Sequence, residues 1–356
     1  MDEILSAEVV VGVDTHKHLH AAVAVSALGA RIGIKAVPVG EEGYRELEAW
    51  ARSLGTVRAF GVEGTGSYGA GLSRFLSGQG YTVLEVNRPD RQLRHQKGKS
   101  DPIDAEAAAR AVLGGQVTAL PKSGTGTVEM IRHLKVARDT AVKGRTQAML
   151  TIKAIIVSAP EALREQLERV SGKMTLLRHL AALRPSPLTS TTASAKASLR
   201  AIARRWLALD EEIKNHDKHL EALAAERAPE LLQAHGMGAG TAAEMLLIVG
   251  DNPERIRSEA AFAKLCGACP IPASSGKTTR HRLNRGGNRQ ANAALYRVVV
   301  TRLRGHRPTL DYVSRRTAEG KSKSEIIRCL QRFVAREIFG YLCRRLNQSA
   351  MAPAAA

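Results

Sequence analysis

The first third of the chain alternates between strand-like and helix-like spacing of its apolar positions. Three short apolar runs with tight connections come first and predict three successive strands. Helix-spaced and strand-like segments then alternate up to about residue 113, which indicates an α/β domain. The predicted strands are Val9–Asp14, His20–Ser26, Arg31–Val39, Val57–Glu63 and Tyr81–Val86. The predicted helices are Glu41–Leu54, Ser67–Gln79 and Asp101–Leu113.

Four carboxylates fall at the ends of these predicted elements. Asp14 and Glu63 each end a strand, and Asp101 opens a helix with Asp104 one turn later. Three antiparallel strands followed by helix, strand, helix, strand and helix is the order of the RNase H fold, which would bring the four acids together. Such a cluster suits two divalent cations about 4 Å apart, as phosphoryl transfer uses. Taken singly, each acid also fits a turn, an ion pair or a helix start, but their joint placement favours a metal site.

The region from 125 to 228 has a helical pattern throughout. Eight positions from Leu199 to Leu223 alternate spacings of three and four residues, an a/d seam that predicts a coiled-coil arm. A helix at about Thr127–Val157 is its expected partner, either antiparallel in the same chain or in a second chain. The predicted loop between the two helices is Pro185–Thr192.

Beyond Pro229 the pattern changes to shorter helices around a Gly-x-Gly turn in His235–Ala242. This turn fits a helix-hairpin-helix, whose amides contact a phosphate backbone, and equally a plain glycine turn between packed helices. The predicted regions are an α/β domain at 1–125, a helical arm at 126–228, a mostly α-helical domain at 229–345 and a flexible tail at 346–356.

Charge is distributed unevenly over these regions. The chain carries a net charge of +19, yet its first 120 residues hold 13 basic and 14 acidic residues. The stretch from Lys277 to Arg345 holds 18 basic and only 4 acidic residues, which favours a nucleic-acid partner. A membrane is the weaker candidate, because no segment pairs a basic face with a bulky apolar one.

The N-terminus and the cysteines indicate an intracellular protein. The acidic start Met1–Ile4 lacks a signal-peptide pattern, so a cytoplasmic location is expected, with association to the nucleoid when the protein is bound to DNA. One Cys-x-x-Cys pair without a second is a weak zinc signal, and we expect reduced packing cysteines. The cysteines are Cys266, Cys269, Cys329 and Cys343.

Two serines precede a glycine at the edge of the basic stretch, in Ala273–Lys277. A serine hydroxyl is a weak nucleophile at neutral pH and needs a base, a metal ion or a cation beside the phosphate. On its own, this motif is more typical of a linker than of a catalytic site.

Four blocks of the chain combine these features: Gly12–Lys17, Glu63–Tyr68, Lys99–Ala105 and Ser275–Lys277. In this order, over about residues 9–340, they resemble the DEDD insertion-sequence transposases related to the Piv invertase. The resemblance implies a RuvC-like nuclease domain joined by a coiled-coil arm to a helical transposase domain. It also implies RNA-guided recombination of DNA, in which a structured bridge RNA encoded by the element pairs with target and donor DNA.

The same resemblance assigns roles to individual residues. Ser275, the serine directly before the glycine, would attack the DNA phosphodiester and form a transient phosphoserine link, with Ser274 as its rival. The acids would bind Mg²⁺, with Mn²⁺ as the alternative ion; they are Asp14, Glu63, Asp101 and Asp104. Charge and position then predict the phosphate or RNA contacts Lys277, Arg280, Arg282, Arg285 and Arg289. The acids and the serine would meet within one subunit or across a homo-oligomer, either a dimer or a tetramer.

Two other functions fit part of the pattern. A RuvC-like junction resolvase would use metal-activated water and leave Ser275 idle. A non-catalytic protein would bind nucleic acid through its basic region and keep an inactive nuclease fold. A covalent protein–DNA adduct separates the transposase from both alternatives, and metal-dependent nicking separates the resolvase from the binding protein.

Overall fold

The structure, a computed structural model, describes residues 8–86, 100–184, 186–278 and 281–344. The chain divides into two compact units. The first unit contains the N-terminal residues up to Gly126 together with Val249–Arg257, and the second contains Thr127–Ile248 and the residues from Ser258 onward. The predicted tail at 346–356 lies outside the described residues.

The first unit is built on a five-stranded mixed sheet with the strand order β3-β2-β1-β4-β5. β1, β2 and β3 are antiparallel, whereas β4 and β5 run parallel to β1. This arrangement is consistent with the predicted RNase H-like domain. The strands are β1 (Glu8–Thr15), β2 (Leu19–Ser26), β3 (Arg31–Pro38), β4 (Thr56–Glu63) and β5 (Val83–Val86). The helices are α1 (Glu41–Leu54), α2 (Ala70–Gly78) and α3 (Asp101–Leu113).

Helix α2 begins three residues later than the sequence pattern predicts. The segment from Gly64 to Gly69 forms turns instead, with the amides of Ser67 and Gly69 both donating to the carbonyl of Gly64. Gly64 has a φ of +68°, a left-handed conformation that favours glycine. The strand end at Glu63 is therefore followed by a tight turn rather than directly by a helix.

The two faces of the sheet carry different helices because side chains alternate along each strand. Val11 and Val13 of β1 belong to a core that includes Leu47 of α1 and Leu72 of α2. Val10 belongs to a second core, formed with the buried alanines of α3. The apolar runs of β1 and β4 are nearly continuous because both of their faces are covered.

Two glycines let α3 lie directly on the sheet. A Cβ atom at Gly12 would lie 2.0 Å from the carbonyl oxygen of Ala105, and one at Gly61 would lie 2.7 Å from a methyl group of Val112. Helix α3 presents mainly alanines to these positions, so the side chains on both sides of the contact are small or absent. The start of α3 is thereby brought close to the ends of β1 and β4.

Gly12→Ala should destabilise the first unit strongly. The new methyl group would meet helix backbone, which no side-chain rotation relieves, and we expect a loss of about 3 kcal/mol or more. Gly66→Ala is the matched control, since a Cβ there would meet none of the described atoms within 4 Å. Urea unfolding followed by circular dichroism measures both variants. Equal stability of the two variants would show that α3 does not rest on Gly12.

The segment Val249–Arg257 holds the end of the first unit in place. Asn252 accepts a hydrogen bond from the amide of Ser123 at 3.1 Å and donates one to the carbonyl of Pro121 at 2.9 Å. These side chain–backbone bonds fix residues that lie 129 and 131 positions away in sequence. The sequence pattern did not predict that this segment would pack with the N-terminal part of the chain.

In the residues that the structure describes, the second unit is helical apart from one short hairpin. Its N-terminal helices are α4 (Thr127–Ser158), α5 (Glu161–Glu168), α6 (Lys173–Ala182) and α7 (Thr191–Arg227). They are followed by α8 (Pro229–Gln233), α9 (Ala239–Val249) and α10 (Glu259–Leu265), with Val249 itself grouped in the first unit. The hairpin strands are β6 (Ile271–Pro272) and β7 (His281–Arg282). The last helices are α11 (Arg289–Arg302), α12 (Arg307–Ala318) and α13 (Lys323–Phe339), which continues as a π-helical turn at Gly340–Arg344.

Helices α4 and α7 pair antiparallel within one chain. Arg138 bonds Asp217 at 2.6 Å, and Arg145 pairs with Asp210 further along, as the antiparallel direction requires. Every second position of the predicted seam is buried, and the positions between them are half-buried. The buried positions are Leu199, Trp206, Ile213 and Leu220. The pairing of the helices agrees with the sequence pattern, while coiled-coil packing stays a prediction.

The connection between α4 and α7 is more elaborate than the single predicted loop. Helices α5 and α6 lie between them, and Leu163 and Leu177 of these helices share a core with Trp206. Of the predicted loop at Pro185–Thr192, residues 186–190 fall between α6 and α7 instead of between the two long helices, and Thr191 and Thr192 already belong to α7. Pro185 lies outside the described residues.

A partly buried ion pair joins two of the C-terminal helices. Arg302 of α11 makes two hydrogen bonds to Glu337 of α13, at 2.8 and 2.9 Å, and a third to the carbonyl of His235. This third bond ties the glycine turn after α8 to α11. The four cysteines are not disulfide-bonded, and burial raises the pKa of the Cys266 thiol to about 12. None of the helices in the described part of the chain is long and apolar enough to cross a membrane.

Candidate functional site

Asp14 and Glu63 lie at the same edge of the sheet. Their strands are parallel neighbours, with Val13 opposite Val62, so both acids come at the carboxyl ends of adjacent strands. Each acid lies two residues after a glycine that faces α3. Both acids therefore lie on the face of the sheet that α3 covers. The Thr15 hydroxyl donates to the backbone carbonyl of Glu63 at 2.8 Å and links the two strand ends.

Helix α3 brings the other two acids to this edge. Ser100 is extended at its N-cap, Pro102 occupies the first turn, and the amide of Asp104 donates to the carbonyl of Ser100. Asp101 and Asp104 are separated by three residues and therefore lie on one face of the helix. Asp104 is buried, whereas the side chain of Asp101 remains about half exposed. One acid thus faces the interior and the other faces the open side of the cluster.

The environment of the cluster disfavours the ionised form of Asp14. Burial raises the pKa of Asp14; a counteracting effect comes from His16, and the charges of Asp104 and Asp101 raise the pKa further. The net direction is upward, so the ionised form of Asp14 is less favourable in the folded protein than in the unfolded chain. A bound cation would relieve this repulsion. The donor set therefore fits a hard divalent ion.

His16 belongs to this cluster although the sequence analysis gave it no role. Its Nε2 atom lies 3.2 Å from Oδ2 of Asp14 and 3.3 Å from Oδ1 of Asp101. Among the described residues, Asp14, His16 and Asp101 form the one group of three such side chains whose donor atoms lie within 4.8 Å of one another. Asp104 interacts with Asp14 through its charge but lies outside that group, as does Glu63. The sequence offered one signal for a role of His16 in the cluster, because this residue follows the acid at the end of β1 by only two positions.

Ser275 lies in the second unit, at the tip of the β6–β7 hairpin. Its amide donates to the carbonyl of Thr278 at 3.1 Å, and the amide of Thr278 donates back at 3.0 Å. Gly276 has a φ of +54°, which this two-residue turn requires and which explains the glycine after the serine. Ser275 is exposed, so its hydroxyl is open to a large substrate. Ser274 is also exposed.

Most of the predicted basic contacts surround this hairpin in sequence and are exposed. Arg280 lies outside the described residues. Two further basic residues that the sequence analysis did not single out are exposed: Arg297 on α11, beside the exposed Tyr296, and Arg304 just after the end of this helix. The exposed predicted contacts are Lys277, Arg282, Arg285 and Arg289.

Family comparisons match both units. A model described as a DEDD transposase of the IS110 type matches residues 11–159, and a transposase model of the IS116/IS110/IS902 family matches residues 228–314. The chain carries IS110-family DEDD transposase domains. A search of curated proteins found no match to the chain.

Each of the two matched regions contains one of the sites just described. The first region contains His16 and the four acids, and the second contains the serine hairpin and the exposed basic residues. The protein is thus an enzyme that acts on DNA, a transposase. DEDD transposase domains use divalent metal ions, which agrees with the donor set at the sheet edge.

Proposed function

We propose that this transposase is an RNA-guided DNA recombinase of an insertion sequence, which uses Mg²⁺-binding carboxylates and a serine nucleophile. One observation supports the proposal best. Helix α3 packs on Gly12 and Gly61 and thereby places Asp101 close to Asp14. The ions would neutralise negative charge that develops on the DNA phosphate during strand cleavage. The metal-binding residues we propose are Asp14, Glu63, Asp101 and Asp104.

Ser275 is the proposed nucleophile. A bond forms between its Oγ and the phosphorus as the ester bond to one deoxyribose oxygen breaks. The hydroxyl proton leaves Ser275, and the released deoxyribose oxygen gains a proton. One phosphodiester is exchanged for another, so the energy of the bond is retained for rejoining, whereas hydrolysis would lose it. Exposure at a hairpin tip supports this role, because a DNA backbone can reach the hydroxyl.

The basic residues are the proposed contacts to nucleic acid. The positive charge of the C-terminal stretch would hold the phosphates of DNA and of a structured guide RNA. The resemblance to RNA-guided family members supports the guide RNA, and charge supports the location. Lys277, Arg280, Arg282, Arg285 and Arg289 would contact phosphates or RNA. We also propose that the protein works as a homo-oligomer, with a RuvC-like domain at 1–125, an arm at 126–228 and a transposase domain at 229–345.

Copurifying RNA tests this function directly. We expect native purification to yield one predominant structured RNA, whose loops pair with sequences at the ends and the target of the element. With this RNA, Mg²⁺ and matching DNA duplexes, the protein should exchange strands. Altering both a guide loop and its DNA target should restore exchange that a change in the loop alone abolishes. Exchange that proceeds without RNA would contradict the guided mechanism.

A further inference from the structure

His16 has a position that the four-acid assignment does not explain. It follows Asp14 by two residues, in the connection between β1 and β2, and its amide donates to the carbonyl of Leu19. This short connection places the ring beside Asp14 and Asp101. The side chain is about half exposed, so packing does not account for its orientation.

The spacing of the three donor atoms is that of ligands around one ion. Neighbouring ligands of an octahedral ion with bonds of about 2.1 Å lie about 3 Å apart. The Nε2 atom of His16 lies 3.2 Å from the Asp14 oxygen and 3.3 Å from the Asp101 oxygen. All three donor atoms lie within 4.8 Å of one another. An ion held by Asp14 and Asp101 would therefore lie within reach of the ring nitrogen.

We infer that His16 is a metal ligand and that it biases the site towards Mn²⁺ over Mg²⁺. Imidazole nitrogen binds first-row transition ions well, whereas Mg²⁺ prefers oxygen ligands and retains water. The inference rests on the proposed function, because it concerns the same metal site, and it adds a fifth residue and an ion preference to that proposal.

A second role for His16 predicts the opposite sign. If the ring only neutralises the two acids, it competes with the ion, and its removal should strengthen the binding of both Mg²⁺ and Mn²⁺. If the ring is a ligand, its removal should weaken the binding of Mn²⁺ much more than that of Mg²⁺. The direction of the change in affinity therefore distinguishes the two roles.

The test is metal binding by the full-length protein, with no DNA present. Free Mn²⁺ is measured by electron paramagnetic resonance, Mg²⁺ is measured by competition, and pulsed measurements detect nitrogen bound to Mn²⁺. His16→Ser removes the ring, and His18→Ser is the matched control, since His18 is exposed in the same connection. We expect His16→Ser to lose the nitrogen signal and about 10-fold or more in Mn²⁺ affinity, and less than about threefold in Mg²⁺ affinity. His18→Ser should keep both affinities and the signal.

The outcomes separate this inference from the proposed function. A nitrogen signal that survives in His16→Ser, or an unchanged or increased affinity for Mn²⁺, would overturn the role of His16 as a ligand. If Asp14→Asn loses Mn²⁺ binding but His16→Ser does not, the proposed carboxylate site is supported and only the role of His16 as a ligand is rejected. Failure of the wild-type protein to bind either ion would reject both.

Discussion

Asp14→Asn should abolish strand cleavage and, in the metal-free protein, increase stability. The carboxylate lies at the centre of the acid cluster, and an amide oxygen offers a divalent ion neither the charge nor the second donor oxygen. We expect cleavage to fall by about 10³-fold or more, because metal stabilisation of the phosphate contributes several kcal/mol. Binding of nucleic acid should be largely retained, since the basic excess lies in the C-terminal part of the chain.

The effect on stability follows from the direction of the pKa shift. The folded protein raises the pKa of Asp14 above its ordinary value of 3.8, so ionisation favours the unfolded chain. Asparagine removes this penalty, and the gain should be present at pH 7. The gain should disappear as the pH falls below about 3.8, where the carboxyl group is protonated in both states.

Cleavage assays with Mg²⁺ and unfolding curves in chelator measure the two effects of Asp14→Asn. Glu42→Gln is the matched control, because Glu42 is an exposed acid on α1 and its removal changes net charge equally. The control should cleave normally and show little change in stability. Normal recombination by Asp14→Asn would reject the metal site. Reduced stability of the metal-free variant would show that Asp14 is not electrostatically strained.

The elements that carry the acids were predictable because local patterns determine them. The apolar run before Asp14 and the run before Glu63 are strands with both faces covered, and each ends where its acid begins. The start of α3 was visible in Ser100, Asp101 and Pro102, a combination typical of a helix N-terminus. The order of the strands and helices along the chain followed from the alternation of these segments.

The details that depend on contacts between distant residues were not predictable from these patterns. Nothing in the neighbourhood of Gly12 indicates that the backbone of α3 would lie against it. The proximity of His16 to Asp101 depends on how α3 packs on the sheet, and the two residues are far apart in sequence. Val249–Arg257 packs with the first unit through side chain–backbone bonds, which leave no periodic pattern.

Ser275→Ala should eliminate both recombination and any covalent protein–DNA species. The variant lacks the oxygen that would bond to phosphorus, so we expect no residual adduct. Stability should change by no more than about 0.5 kcal/mol, because the side chain is exposed at a hairpin tip. The backbone bonds to Thr278 and the left-handed Gly276 that shape the turn are unaffected by the substitution. Loss of activity would therefore report the hydroxyl and not the fold of the hairpin.

Ser274→Ala is the control that shows which of the two neighbouring serines is the nucleophile. Ser274 is an exposed neighbour with the same hydroxyl, but it lies one residue before the turn whose geometry requires the glycine. Denaturing electrophoresis with labelled DNA, guide RNA and Mg²⁺ should show an adduct in the wild-type protein and in Ser274→Ala, and none in Ser275→Ala. An adduct present in Ser275→Ala but missing in Ser274→Ala would move the role by one residue. Cleavage by all three proteins with no adduct in any of them would instead indicate attack by water, the reaction of a junction resolvase, because hydrolysis leaves no bond between protein and DNA.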